Sequence, residues 1–123
     1  MNDQSTRDQG QRGEDIAWEY LKKRGYKILE RNYRCRYGEI DLVAKDGETI
    51  VFVEVKSRRS AAFGEPEESV GPAKQKKIST VALCYLEEKH LHDRPARFDV
   101  VSILTGAGEQ NILLIRDAFD LVR

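Results

Sequence analysis

Four charged residues interrupt the most apolar stretches of this 123-residue chain. Glu54 and Lys56 lie in the run TIVFVEVKS, and Glu39 and Asp41 lie in the run GEIDLVA. An ionised carboxylate in an apolar site costs several kcal/mol unless it is paired or bound to a cation, which is a large fraction of a small domain's stability. These positions therefore need a physical reason, and the residue types suggest one.

The spacing of these four residues indicates shared faces. Residues two apart in a strand project to the same side, so Glu54 lies with Lys56, and Glu39 with Asp41. If the two strands pair as a hairpin with these faces together, three carboxylates and a lysine converge near its open end. Mg²⁺ or Mn²⁺ is held by oxygen ligands, and a nearby lysine can orient or deprotonate an attacking water. The pattern predicts phosphodiester hydrolysis, with Asp41 and Glu54 as metal ligands, Glu39 as a further ligand and Lys56 as the catalytic lysine.

Glu14 extends this candidate site to a helix. Positions 14, 17, 18 and 21 are neighbours on a helical surface, so Glu14 shares the apolar side of Ala17 and Leu21 and is expected to point toward the sheet. A structural interpretation stays open beside the catalytic one. In it, Asp41, Glu54 and Lys56 form a salt-bridge cluster at a sheet edge, and Glu14 stabilises a helix N-terminus.

The elements that must position these residues follow from hydrophobic periodicity. The predicted order is a helix at 11–24, strands at 26–33, 39–44 and 49–55, a helix at 72–90, strands at 97–105 and 111–116, and a closing helical turn at 118–123. The dipeptide Asp46-Gly47 between two apolar arms predicts a hairpin. Its second arm is apolar on both faces, which predicts an interior strand. The segment 57–71 is rich in Ser, Ala, Gly, Glu and Pro and is predicted to be a long functional loop.

Size and composition predict one α/β domain. The polar residues 1–11 are expected to form a flexible leader, with a single domain at 12–123. Hydrophobic residues make up 40% and charged residues 34%, which excludes a disordered or membrane-embedded chain. No long apolar run or signal-like N-terminus is visible, so a cytoplasmic location without membrane contact is expected. Cys35 and Cys84 match no metal or redox spacing and are interpreted as packing residues.

Charge is balanced overall but clustered locally. Lys plus Arg number 21 and Asp plus Glu 21, so net charge gives no argument for polyanion binding. The segment 22–36, however, holds seven basic residues against the single acidic residue Glu30. Local clusters of this kind leave nucleic-acid binding open as a function.

Several segments in order resemble the YraN family of small bacterial proteins. They are Gly13-Glu14, Ala17, Tyr20-Leu21, Gly25-Tyr26, Arg31-Asn32, 38–42 (GEIDL), 51–58 (VFVEVKSR), Phe63-Gly64, Lys74 and 97–100 (RFDV), within residues 13–119. That family is similar to the restriction-endonuclease-like superfamily and, in outline, to archaeal Holliday junction resolvases. The resemblance implies a restriction-endonuclease-like α/β core, a mixed sheet of about five strands flanked by helices in the order α-β-β-β-α-β-β.

The resemblance also implies roles for individual residues. Asp41, Glu54 and the carbonyl of Val55 would ligate the metal, and Lys56 would be the catalytic lysine. Glu14 corresponds to the acidic residue of the first helix in resolvase-like enzymes, and Gln75 to a polar residue on the second helix. The chain departs from the superfamily pattern at Ile40, where proline often precedes the aspartate.

The expected function is a Mg²⁺-dependent (or Mn²⁺-dependent) structure-selective nuclease acting on DNA, with a homodimer expected by analogy. Phosphate contacts would come from residues that flank the strand ends, the loop and the second helix. The candidates are Arg34, Arg36, Arg58, Arg59, Lys74, Gln75, Lys76 and Lys77. The alternative is a catalytically inactive nucleic-acid-binding or adaptor protein of the same fold, in which binding needs no metal.

Overall fold

A computed structural model describes residues 3–58, 70–106 and 109–122, with side chains described for 12–58, 70–104 and 111–122. The elements in chain order are α1 (Asp3–Lys23), β1 (Lys27–Cys35), β2 (Gly38–Asp46), β3 (Thr49–Arg58), α2 (Pro72–Glu88), β4 (Ala96–Gly106) and β5 (Glu109–Phe119). The predicted α/β class and the order of helix, three strands, helix and two strands are confirmed. Within these residues no helix is both long and apolar enough to cross a membrane, and the cytoplasmic location stays a prediction.

The five strands form one mixed sheet in the order β1-β2-β3-β4-β5. Neighbouring strands are antiparallel except β3 and β4, which are parallel and therefore need the crossover that α2 provides. Gly47, with φ +62°, supplies the left-handed residue in the turn that closes the β2–β3 hairpin. β3 lies in the middle of the sheet, as its two apolar faces predict.

Each face of the sheet is covered by one helix. Ala17 and Leu21 of α1 pack on Val51 and Val53 of β3, on one face. On the other face, α2 places its apolar side over the strands, and its buried residues include Ile78, Val81, Ala82, Tyr85 and Leu86. The alternation in β3 explains this arrangement, because odd positions face α1 and even positions face α2.

Two predicted boundaries are wrong, and one segment lies outside the described residues. α1 begins at Asp3, eight residues before the predicted start at 11, although the flexibility expected of residues 1–11 stays a prediction. The closing helical turn is absent over 118–122, because β5 continues to Phe119 and pairs it with Phe98. Most of the predicted loop, residues 59–69, lies outside the described residues, and Arg59 lies with it.

The alternation of faces is interrupted in β2 at Asp41. Ile40 belongs to the core beneath α2, whereas Leu42, two residues later, belongs to the core beneath α1. Opposite this point, Asn32 of β1 adopts φ +54°, a left-handed conformation that asparagine tolerates. The regular β2–β3 pairing also stops here, at Leu42 opposite Val53. The open end of the hairpin is therefore the place where β2 leaves β3.

We expect Gly38→Ala to lower the free energy of unfolding by about 1–3 kcal/mol. Gly38 adopts φ +147°, and an added Cβ would lie 3.1 Å from Lys77 Cε and 3.4 Å from Val81 Cγ2. Urea denaturation measures the effect. Gly47→Ala is the matched control, because Gly47 also has positive φ but no atom within 4 Å of the added Cβ. Equal losses in both variants would show that the contact with α2 is unimportant.

Candidate metal centre

Asp41 lies at the gap between β2 and β3. Its Oδ2 accepts a hydrogen bond from the backbone N–H of Val55 at 2.8 Å, in place of the strand that has turned away. The N–H and C=O of one residue in a strand point to the same neighbouring strand. The carbonyl of Val55 therefore faces the same gap as the Asp41 carboxylate, as a further ligand would require.

Glu54 is buried beside Asp41, on the α2 side of β3. Its side chain projects from the interior strand and is 5% exposed. Burial first, and then the hydrogen-bonded Asp41 carboxyl group, raise the pKa of Glu54 to about 9, against smaller opposing effects of Lys74 and Lys56. In the metal-free protein, this raised pKa favours the protonated form of Glu54 near neutral pH.

Lys56 lies on the same face of β3 and meets Lys74 from α2. Burial lowers the pKa of Lys56, the adjacent Lys74 lowers it further, and Glu54 and Asp41 act in the opposite direction. A lysine with a lowered pKa can exist as the neutral amine, the form that accepts a proton. β2, β3 and the first turn of α2 thus bring two carboxylates and two lysines together.

A cavity of about 730 Å³ opens onto Asp41, Glu54 and Lys74. Its walls come from the β1–β2 turn, the gap between β2 and β3, and the N-terminal half of α2. The lining residues are Arg34, Cys35, Arg36, Tyr37, Gly38, Glu39, Asp41, Glu54, Val55, Lys74, Lys77 and Ile78. The acidic groups Asp41 and Glu54 thus share one cavity with four basic side chains.

Side chains at the rim of the cavity pair with one another. Arg34 donates a hydrogen bond to Glu39 at 2.8 Å, and both side chains are at least half exposed. Arg36 lies over the ring of Tyr37 and donates to its hydroxyl at 2.6 Å. The predicted ligand Glu39 is therefore held by Arg34 at the mouth of the cavity, and its role as a ligand stays a prediction.

The remaining predicted residues have other partners or positions in the structure. Glu14 accepts a hydrogen bond from Arg31 at 3.2 Å on the α1 side of the sheet. Gln75 donates its side-chain amide to the carbonyl of Val70 at 2.8 Å, so it holds the start of α2. Lys76 is exposed on α2, and Arg58 is the last residue of β3. Their catalytic or binding roles stay predictions.

The donor set fits Mg²⁺ or Mn²⁺. These ions are usually held by one or two carboxylates, with waters and substrate phosphates completing the shell. Asp41, Glu54 and the Val55 carbonyl supply that number of oxygen donors. In the described part of the chain, no three Asp, Glu, His or Cys side chains gather as an all-protein metal cage would require. The chemistry of the donors therefore suits a hard cation shared with a substrate.

Two features of the site were not apparent from the sequence. Lys74 was predicted as a phosphate contact, but its position beside Lys56 depends on the packing of α2 against β3. Tyr33 and Tyr37 lie within or directly after the basic segment 22–36 of the sequence, yet Tyr33 is buried while Tyr37 is 45% exposed at the cavity. The sequence signal for an exposed Tyr37 is its position next to Gly38, because glycine favours a turn between two strands.

Comparisons with known proteins agree with the sequence resemblance. A family model described as "Uncharacterised protein family UPF0102" matches residues 13–103. A UPF0102 protein of Syntrophus aciditrophicus is 55% identical over 112 residues, covering 91% of this chain and 88% of its own length. Another from Geotalea uraniireducens is 56% identical over 113 residues, covering 91% and 89%.

Among solved structures, Pyrococcus furiosus SfsA in complex with Ca²⁺ overlaps 90% of this chain. The identity is 15% and the TM-score 0.42, and this chain spans 63% of that one. The family assignment rests on the sequence matches, which include the motif that contains Asp41 and the motif that contains Glu54 and Lys56. This chain is a member of the uncharacterised family UPF0102, the YraN family.

Proposed function

We propose that this protein is a metal-dependent nuclease that hydrolyses phosphodiester bonds, with DNA as its preferred substrate. The observation that carries the proposal is the meeting of Asp41 and Glu54 at the gap between β2 and β3, in a cavity that also holds basic side chains. A buried carboxylate beside a second one is unfavourable without a cation, so its presence in the central strand supports a metal site.

Each residue of the site has a different role in the proposed reaction. Asp41, Glu54 and the Val55 carbonyl would hold the cation. A bound Mg²⁺ neutralises phosphate charge and makes water a stronger nucleophile. Lys56, with its lowered pKa, can hold or accept a proton at Nζ beside the scissile phosphate. Lys74, a second basic side chain next to Lys56, would stabilise the negative charge that develops on the phosphate.

Substrate retention is assigned to the basic rim. Arg34, Arg36 and Lys77 line the cavity with exposed side chains, so they can reach phosphates of a bound strand. Tyr37 lies beside them with an exposed ring that can stack on an unpaired base. This combination favours branched or partly single-stranded DNA over regular duplex.

A gel assay tests the proposed function. Purified protein is incubated with branched, single-stranded and duplex DNA and RNA, with Mg²⁺, Mn²⁺ or a chelator, at two salt concentrations. We expect cleavage of branched or single-stranded DNA that requires the metal, together with retention that weakens as salt rises. Salt-sensitive retention with no cleavage under any metal condition would instead support the inactive nucleic-acid-binding alternative.

Lys56→Gln is expected to lower the cleavage rate by about 10²-fold or more, because it removes a group that contacts the reacting phosphate. Binding of Mn²⁺ should be retained, since both carboxylates remain. The comparison is a single-turnover rate at saturating protein. Lys45→Gln is the matched control, because Lys45 lies in the same hairpin but at its closed end, opposite Ile50. Wild-type rates for Lys56→Gln would assign the cleavage chemistry elsewhere.

A further inference from the structure

The two cysteines lie on facing elements at one wall of the cavity. Cys35 ends β1 and is paired with Gly38 in the β1–β2 ladder. The position of a Cβ on Gly38 is 3.4 Å from Val81 Cγ2, and Cys84 follows Val81 by one helical turn on the same side of α2. This end of β1 therefore packs directly against the part of α2 that carries Cys84.

Tyr33 locates the Cys84 sulfur more closely. It lies two residues before Cys35, and its hydroxyl is 3.7 Å from Cys84 Sγ while donating a hydrogen bond to Glu88 at 2.5 Å. Its ring meets Tyr85 edge to face at 5.0 Å. Side chains two apart in a strand project to the same side. Cys35 is therefore directed at the same helix surface as Tyr33, next to Cys84.

Both thiols are unbonded to any other cysteine and half-buried rather than fully enclosed. The net effect of the surroundings is to raise the pKa of the Cys84 thiol. The hydrogen bond with Tyr33 lowers this pKa, but burial and then a hydrogen bond with the Cys35 thiol raise it by more. The Cys35 thiol is therefore close enough to Cys84 to affect its pKa. Cys35 also lines the cavity, which gives small molecules access to it.

We propose that Cys35 and Cys84 form a reversible disulfide that ties the end of β1 to α2 and fixes the wall of the cavity. The oxidant is a small-molecule disulfide such as glutathione disulfide. The thiolate of Cys35 attacks it, forms a mixed disulfide and releases one thiol. Cys84 then attacks Cys35 Sγ, which releases the second thiol. Two cysteine thiols are oxidised, one disulfide is reduced, and both protons pass to the released thiols.

The position of the bond gives it a consequence for the site. Cys35 is followed by the turn that carries Arg36 and Tyr37, and Cys84 shares its helix with Lys74 and Lys77. A bond between the two elements prevents the turn from moving away from α2 to admit a strand. This regulatory effect rests on the proposed nuclease function, whereas formation of the disulfide does not.

The test begins with the reduced full-length chain and glutathione disulfide, followed by alkylation and mass spectrometry. We expect a monomer that has lost two hydrogens, carries no alkyl group, and yields a peptide linking Cys35 to Cys84. Its Tm should rise by about 10 °C, because the bond closes a long loop. Dithiothreitol should reverse both changes. Glutathione attached to both cysteines at once, or bonds only between chains, would overturn the proposal.

Single variants separate the intramolecular bond from general thiol reactivity. Cys35→Ser and Cys84→Ser should each retain one mixed disulfide with glutathione and show no rise in Tm. If the reduced chain cleaves DNA, the disulfide form should cleave more slowly and recover with dithiothreitol, and equal rates would overturn the regulatory effect. If the disulfide forms but neither the reduced nor the oxidised protein cleaves DNA, the nuclease proposal is refuted and the disulfide proposal is not.

Discussion

Asp41→Asn is expected to lower the rate of DNA cleavage by about 10³-fold or more and to leave the protein folded. The substitution removes the charge that a divalent cation needs. An asparagine oxygen can still accept the 2.8 Å hydrogen bond from the Val55 N–H, so the local backbone should be preserved. The measurement is a single-turnover cleavage rate beside a urea denaturation curve of the same sample.

The same variant should make the metal-free protein more stable at neutral and alkaline pH. The pKa of Glu54 is raised by burial and then by Asp41, so its folded-state value of about 9 lies above the ordinary value of 4.5. As the pH rises through that window, the unfolded chain releases a proton that the folded chain retains, and the free energy of unfolding falls. Removing the Asp41 charge lowers the pKa of Glu54 and reduces this loss, by about 1–3 kcal/mol.

The direction of this change in the free energy of unfolding distinguishes a metal site from a structural salt-bridge cluster. If the carboxylates were retained to stabilise the fold, Asp41→Asn would lower the free energy of unfolding across the pH range. Asp93→Asn is the control, because Asp93 is an exposed loop residue far along the chain and should change neither cleavage nor stability. A destabilised Asp41→Asn protein with wild-type cleavage would contradict the assignment of Asp41.

Asp99→Ala is expected to lower the free energy of unfolding by about 3–5 kcal/mol, because it breaks a buried ion pair. Asp99 is fully buried and accepts hydrogen bonds from Tyr26 at 3.0 Å, Arg97 at 3.0 Å and the backbone N–H of Asp117 at 2.9 Å. Truncation would leave the Arg97 guanidinium short of its buried partner and the Tyr26 hydroxyl without its acceptor. Thermal and urea unfolding in parallel measure the loss.

Two further variants identify the cause. Asp46→Ala removes the more exposed partner of Arg97, which lies 2.9 Å away, and should cost about 1 kcal/mol. The double variant Arg97→Met with Asp99→Ala removes both buried charges and should recover part of the stability lost by Asp99→Ala alone. A loss below 1 kcal/mol for Asp99→Ala would show that this network adds little. The motif 97–100 then would have no structural explanation.

The fold was predictable where local signals and alternation agreed. Asp46-Gly47 between two apolar arms predicts the hairpin, and valines on both faces predict that β3 is interior. The end of β5 was missed for a physical reason. Asp117 adopts φ +52° and donates its N–H to Asp99, a contact across 18 residues that lets the strand continue to Phe119. Local periodicity cannot report a contact of that kind.

The site was predictable only where its residues are placed by the local pattern of a strand. Spacing of two along each strand predicts that Asp41 and Glu54 meet, and the structure brings them together. Glu14 was expected to join them from the helix face. The structure pairs it with Arg31 of β1, which donates a hydrogen bond to Glu14 at 3.2 Å, and its catalytic role stays a prediction. The meeting of Lys74 with Lys56, like that of Cys84 with Cys35, depends on how α2 packs, and no local pattern in the sequence encodes it.

Calorimetric titration with Mn²⁺ addresses the metal assignment directly. Wild-type protein, Asp41→Asn, Glu54→Gln and the control Asp93→Asn are titrated under the same conditions. We expect one Mn²⁺ per chain in the wild type and Asp93→Asn, and affinity reduced by about tenfold or more in the two site variants. Equal binding in all four proteins, or none in the wild type, would contradict a metal centre at Asp41 and Glu54.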